Sequence, residues 1–189
     1  MYQIEVKDRH ILLLSDTHGM HHLVDIPDNI QIVIHAGDVC NGGDFEQIKD
    51  FFNWFASLDI RHKIFVHGNH DLPFELEPET SKELIPRGVR WLNNTTVHCN
   101  GVSIRGINVD FLSDDQLEGT TCDILISHYP PAGIMDGGIG MMQINEYVHL
   151  IKPKYCTFGH CHEKSGIFKR KGTTFINASL YQQLLDKEK

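Results

Sequence analysis

Asp16 and His18 stand two residues apart at the end of the apolar run Ile11-Leu12-Leu13-Leu14, and Gly19 closes the segment. Side chains two apart in extended backbone point to the same side, so this carboxylate and imidazole can reach one metal ion or one substrate together. Four more segments repeat the arrangement. Gln31 to Ala36 runs into Gly37-Asp38, and Lys63 to His67 runs into Gly68-Asn69-His70-Asp71. Asp123 to Ser127 runs into His128, and Tyr155 to Phe158 runs into Gly159-His160-Cys161-His162. Carboxylate, imidazole and amide oxygen together suit borderline or harder ions such as Mn²⁺, Fe²⁺, Zn²⁺ or Co²⁺, whereas a thiolate set would point to structural zinc.

The elements that must position these groups follow from the same text. Short apolar runs bounded by polar residues read as strands buried on both faces, each delivering its polar group at its C-terminal end. In α/β sheets that edge is where ligands bind, so five separate segments can converge on one site. Tyr2 to Lys7 is expected to be an edge strand paired with the Ile11 strand. Asp44 is a good helix N-cap with Gln47 three residues on; Phe45, Ile48, Phe52 and Phe55 keep helical spacing, and Phe51, Trp54 and Leu58 widen that face. The aromatic stripe reads as core packing against a sheet. Leu72 to Arg87 reads as a surface excursion with a short helix near Glu79 to Leu84. Val89 to Leu92, Thr95 to Cys99 and Val102 to Ile107 are short β-rich runs, and Asn100-Gly101 between the last two is a strong hairpin signal. The middle of the chain should therefore add antiparallel strands to a βαβ pattern.

Tyr129 to Gly140, rich in proline and glycine, reads as a mobile loop beside His128. Met141 to Ile151 is helical in period, with its methionine pair as core filler. Thr173 to Ile176 is expected to close the sheet, and Leu180 to Lys189 to form a short amphipathic tail. His21 and His22 read as solvent-exposed. His35 and His67, inside their strands, read as core groups or as groups that orient ligands.

A chain of 189 residues fits a single domain spanning 1–189. Lys and Arg number 17 against 25 Asp and Glu, a formal charge of −8, and no basic run tracks a nucleic-acid backbone. A small phosphorylated ligand stays open, because a bound metal supplies positive charge that the sequence does not display. No apolar run approaches the roughly 18 residues of a membrane span, and Met1 to His10 carries charges of both signs without the apolar core of an export signal. The 5 cysteines are odd in number and lack C-x-x-C spacing, which fits reduced thiols in a cytoplasm.

D-x-H, G-D, G-N-H-D, H and G-H-x-H occur in that order between Asp16 and His162. On these motifs the sequence resembles the calcineurin-like metallophosphoesterase family. Ser15 to Gly19, His128 to Pro131 and Phe158 to Glu163 further resemble its small single-domain, metallophosphoesterase-domain-containing branch. The resemblance implies an α/β fold, a four-layer αββα sandwich of two mixed sheets with helices outside. It also implies one metal site from Asp16, His18, Asp38 and His162, a second from Asp38, Asn69, His128 and His160, and Asp38 as the bridge. Two ions roughly 3.5 to 4 Å apart generate a hydroxide at neutral pH and clamp phosphoryl oxygens during in-line displacement. His70, left without a metal, would protonate the leaving oxygen or stabilise the transition state, binding substrate together with Asn69. Asp71 and Asn41 join His70 as catalytic candidates. In the protein-phosphatase branch the Asn41 position is an aspartate that pairs with the catalytic histidine, and the Gly42 position is an arginine that binds phosphate. The Ile107 to Cys122 connection is also short for the named branch, which inserts an aromatic-rich segment there.

The expectation is a hydrolase of phosphoric esters with two divalent ions, Mn²⁺ first and Fe, Zn, Co or Ni as alternatives. Small phosphodiesters, nucleotide-derived ones among them, are the expected substrates. The competing readings are a phosphomonoesterase on a small substrate, a noncatalytic protein-binding scaffold of the same fold, and a metal-storing or sensing protein.

Overall fold

In a computed structural model that describes residues 1–108 and 119–189, the apolar runs fold into two mixed sheets packed face to face. The first sheet has the order β1-β2-β3-β4-β5. Its strands are β1 (Tyr2–Val6), β2 (Arg9–Leu14), β3 (Ile32–His35), β4 (His62–Phe65) and β5 (Val89–Trp91). β1 runs antiparallel to β2 at one edge, and the other pairings are parallel. The second sheet has the order β10-β11-β9-β8-β7-β6. It comprises β6 (Thr96–Cys99), β7 (Val102–Gly106), β8 (Ile124–Ile126), β9 (Tyr155–Phe158), β10 (Gly166–Arg170) and β11 (Thr173–Asn177). β7, β8, β9 and β11 are parallel, with β6 and β10 antiparallel at the two edges.

Strand alternation decides which residues meet. Ile11, Leu13, Ile32, Ile34, Ile64 and Val66 face the second sheet and pack on Ile104, Ile124, Ile126 and Ile176. Their neighbours Leu12, Leu14, Val33 and Phe65 face outward onto α1 (Phe45–Ser57) and onto Leu184 of α5 (Tyr181–Glu188). On the far side Leu125, Cys156, Phe158 and Phe175 pack on Ile144, Tyr147 and Ile151 of α4 (Met142–Ile151). The order of layers is helix, sheet, sheet, helix, as the resemblance implied. Among the described residues no helix is long and apolar enough to cross a membrane.

α1 begins where Asp44 accepts the backbone N–H groups of Glu46 and Gln47, and it ends as Leu58 turns extended. Phe51, Phe52 and Phe55 are fully buried or nearly so. Burial of each is worth about 1.5–3 kcal/mol before chain entropy is counted, and that fixes the helix on the sheet. Phe45 does not join them; at the first helical position it faces solvent and is 47% exposed. The Gln47 side chain does not return to the Asp44 N–H but accepts from the Asn41 N–H at 2.8 Å, tying the helix start to the loop after β3.

Three further expectations change. β5 adds to the first sheet in parallel, because α2 (Leu72–Leu76), α3 (Pro78–Ser81) and a 3₁₀ turn at Lys82–Leu84 form a crossover rather than a hairpin. The Thr173 strand is interior, and the edge is β10, which is exposed along most of its length and so carries no apolar period to read. Met141 packs on the core, but Met142 is 64% exposed. The Asn100-Gly101 hairpin forms as expected, joining β6 to β7. In the loop after His128 the Asp136 carboxylate accepts backbone N–H groups from Gly133, Gly138 and Gly140. Most of the Ile107 to Cys122 connection lies outside the described residues.

Candidate metal centre

The parallel strands of both sheets release their chains at one edge, where the loops are stitched to each other. The Asp16 N–H donates to Gly37 O at 2.9 Å, and the His18 N–H donates to Asp38 O at 3.1 Å. Asp16, His18, Asp38 and His160 all hold a left-handed backbone, with φ of 54°, 42°, 58° and 64°. Such a conformation costs roughly 1–2 kcal/mol in a residue that carries a Cβ, and strain of this kind collects where side chains must be aimed. The glycines are as constrained as the ligands. A Cβ on Gly68 would collide with Asp38 Oδ1, and one on Gly159 would collide with the Ser15 hydroxyl and the Asp16 carboxylate.

One group of donor atoms comes from Asp16, His18, Asp38 and His162, whose candidate ligand atoms lie within 4.8 Å of one another. His162 Nε2 is 3.3 Å from Asp16 Oδ1 and 3.2 Å from His18 Nε2, which is itself 3.6 Å from Asp38 Oδ2. A second group forms across Asp38 from His128 and His160. His128 Nε2 lies 3.3 Å from Asp38 Oδ2 and 3.0 Å from Asn69 Oδ1, and His160 Nδ1 lies 2.8 Å from Asn69 Oδ1. The same oxygen, Asp38 Oδ2, faces both groups.

The tautomers explain why this cluster fits cations. His128 Nδ1 sits 2.8 Å from Ala36 O, and because a carbonyl only accepts, Nδ1 carries the hydrogen. Its Nε2 then presents a lone pair to two further acceptors, Asp38 Oδ2 and Asn69 Oδ1. Three converging acceptors need a positive charge among them. Without a metal, a proton fills that need: burial opposes it, but the Asp38 carboxylate overrides burial and pushes His128 up to about 9. Asp38 is correspondingly held far below the usual carboxylate range despite its burial, chiefly by His128. His160 goes the other way, to about 4, because burial and then the neighbouring His128 disfavour its charge. Burial likewise lowers His18. Neutral imidazoles are the ligating form.

His70 lies beside these groups without joining either. Its backbone N–H donates to Asp38 Oδ1 at 2.9 Å, and its ring stands edge-on to His18 with centroids 4.9 Å apart. Asn41 does not orient it. The Asn41 amide bonds the Nδ1 and the carbonyl of His18, both at 3.2 Å, because the loop folds it under that residue. The group on His70 Nδ1 is the Gly42 backbone N–H, at 3.2 Å. Asp71 is fully buried, so it supports the site from beneath: it accepts N–H groups of Asp38, Val39 and Gly68, each at 2.9 Å. Burial, reinforced by the nearby Asp38, pushes it up to about 7.

His35 is a core group whose Nε2 meets Thr17 Oγ1 at 3.1 Å, and burial drives it down to about 3. His67 accepts from Trp91 Nε1 and meets the Asn108 amide. Among the described residues neither bonds the side chain of a candidate metal ligand. Tyr181 is what motif reading misses: its ring centroid lies 4.9 Å from that of His18 and 4.3 Å from that of His162. The segment before it is pinned to both sheets, Ala178 N–H to Phe158 O at 2.7 Å and Leu180 N–H to Ser15 O at 3.0 Å. No spacing or pattern links Tyr181 to the motifs.

A family model described as calcineurin-like phosphoesterase matches residues 9–164. A UPF0046 protein of Caenorhabditis elegans is 33% identical, over 88% of this chain and 73% of its own length. Metallophosphoesterase domain-containing protein 1 of Homo sapiens is 28% identical, over 88% of this chain and 64% of its own length. Among solved structures, the protein TT1561 of Thermus thermophilus aligns with a TM-score of 0.69 at 13% identity, covering 92% of this chain and 90% of that one. At that identity the likeness concerns the fold alone.

Proposed function

This chain belongs to the calcineurin-like phosphoesterase family, whose members act on phosphoric esters, and from that premise we propose that it holds two divalent cations and hydrolyses small phosphodiesters. The observation that carries the proposal is the position of Asp38 Oδ2, 3.6 Å from His18 Nε2 on one side and 3.3 Å from His128 Nε2 on the other. Asp16, His18 and His162 complete one set of ligands around it; Asn69, His128 and His160 complete the other. The mixed carboxylate, amide and imidazole donors suit borderline to harder divalent ions, with Mn²⁺, Fe²⁺, Zn²⁺, Co²⁺ and Ni²⁺ as the candidates. Bound there, the cations would supply Lewis acidity toward the phosphoryl oxygens and lower the pKa of an attacking water.

The remaining chemistry belongs to the chain. Asn41 and Ala36 hold His18 and His128 with hydrogen on Nδ1, so both Nε2 lone pairs face inward. His70 is held the opposite way, with Nε2 bearing the hydrogen, and from there it donates a hydrogen bond to the ester oxygen as negative charge develops on it. Asp71 fixes the two loops that carry Asp38 and Asn69. The two sheets share one core, which supports a single domain over 1–189. The 5 cysteines are all free thiols, which supports a reducing, cytoplasmic setting.

The test is hydrolysis of bis(p-nitrophenyl) phosphate before and after chelation. Stripped protein should be inactive and regain activity with Mn²⁺. Activity that survives complete stripping removes the metal mechanism, and inactivity with every one of these ions favours the scaffold reading.

A further inference from the structure

The turn that follows His18 brings a second set of ligand atoms together, away from Asp38. His21–Leu23 forms a 3₁₀ turn against α1. His21 is fully buried, not solvent-exposed, with its ring centroid 5.2 Å from that of Trp54 and 5.6 Å from that of Phe51. Its Nε2 reaches Asp50 Oδ2 at 3.1 Å, and His22 Nε2 reaches the same oxygen at 2.9 Å. The candidate ligand atoms of His21, His22 and Asp50 lie within 4.8 Å of one another. Among the described residues Asp50 has no lysine or arginine partner, so its charge faces the two imidazoles alone.

We infer that His21, His22 and Asp50 form a further cation site, separate from the Asp38 centre and selective for Zn²⁺, Ni²⁺ or Cu²⁺ over Mn²⁺ or Mg²⁺. Two imidazoles and one carboxylate on one side of an ion leave its other positions open to water. The side chains of His22 and Asp50 are 59% and 54% exposed, which gives the ion a path in and the water its place. Burial lowers His21 to about 4, so at neutral pH no proton must leave that ring before it ligates. Among the described residues its Nδ1 is buried without a hydrogen-bond partner, and its one polar contact is Nε2 to Asp50. Selectivity follows from the imidazoles, which favour the later divalent ions in the Irving–Williams order. A cation there joins the turn after Asp16 and His18 to α1, and by binding only the folded chain it stabilises it.

The ordinary alternative is two N–H donors sharing one carboxylate oxygen. Equilibrium dialysis of chelator-stripped protein against Zn²⁺ at neutral pH, with elemental analysis, separates the two. His22→Ala and Asp50→Asn should each retain one equivalent fewer than the wild type; Asp38→Asn should retain this equivalent while losing others. The reading is a difference in count, so it stands whether or not the Asp38 centre fills. Both substituted side chains are exposed, and His22→Gln serves as a second variant should the alanine change disturb the turn. Equal Zn²⁺ counts in wild type and variants overturn the site.

Discussion

The backbone N–H of Gly42 donates to Nδ1 of His70 at 3.2 Å. That one bond assigns the tautomer. With Nδ1 accepting, the hydrogen of the neutral ring resides on Nε2, the nitrogen free to face a substrate. The His70 backbone N–H is meanwhile bonded to Asp38 Oδ1, which ties the residue to the carboxylate that faces both donor groups. His18 and His128 are fixed in the reverse sense by Asn41 and Ala36. The three imidazoles are thus sorted by their partners: two present lone pairs, and one presents a proton.

His70→Asn should therefore leave bound metal intact and lower kcat by roughly 10²-fold or more, the usual scale for losing one preorganised donor to developing charge. The loss should shrink with p-nitrophenolate as leaving group, because that anion departs without a proton. A rate deficit of equal size for good and poor leaving groups would count against a role at the departing oxygen.

Asp38→Asn should remove more metal than any other single change among the candidate ligands, since Oδ2 faces both groups of donors. Elemental analysis after dialysis reads the outcome. Two equivalents retained in the variant would show that this carboxylate does not bridge.

Asp71→Ala separates support from catalysis. Three buried N–H groups, those of Asp38, Val39 and Gly68, lose their acceptor. Orphaned donors cost about 1–3 kcal/mol each, so metal-stripped Asp71→Ala should lose about 3 kcal/mol or more in urea unfolding. A variant as stable as the wild type but inactive would instead place Asp71 in the reaction.

Much of this was legible in the amino-acid sequence because buried parallel strands are continuous apolar runs, and a polar residue at the end of such a run marks the functional edge. The converging polar groups followed from that; the four layers followed from the family resemblance that the ordered motifs carry. What stayed hidden has physical reasons. β10 lies at an edge and is exposed on both faces, so no period marks it. The role of Asn41 depends on how its loop folds under His18, and that of Gly42 on a backbone N–H, which no residue name discloses. His21 looked like one of two loop histidines until α1 closed over it. Tyr181 reaches the site only because the segment Ala178 to Leu180, between β11 and α5, bonds to the ends of β9 and β2.

Tyr181→Ala should weaken metal binding at the Asp16, His18, His162 side, because the ring braces two imidazoles whose aim sets affinity. Loss of a group that orients ligands typically costs 10–100-fold in metal affinity. Tyr181→Phe should restore most of it, as the contact is through the ring. Calorimetric titration of stripped protein with Mn²⁺ compares the three, and unchanged affinity in the alanine variant would leave Tyr181 as packing only.

Phosphodiesters should be turned over better than phosphomonoesters. A monoester is largely a dianion at neutral pH, its second pKa being near 6, and it needs more positive charge than carboxylate-bound cations provide. The surrounding chain offers little. The position next to Asn41 is Gly42, whose N–H is engaged by His70. Arg90 is bonded to Cys99 Sγ and Arg105 to Thr96 Oγ1, while Arg61 precedes β4 at the edge opposite the site. A formal charge of −8 supplies no compensating field. Each missing charge-assisted hydrogen bond is worth about 1.5–3 kcal/mol, so the diester should lead by about tenfold or more. The comparison is kcat/KM for bis(p-nitrophenyl) phosphate against p-nitrophenyl phosphate, both with Mn²⁺ and corrected for their uncatalysed rates. If the monoester is preferred, a cation source outside these arginines serves the site, and the diester assignment falls.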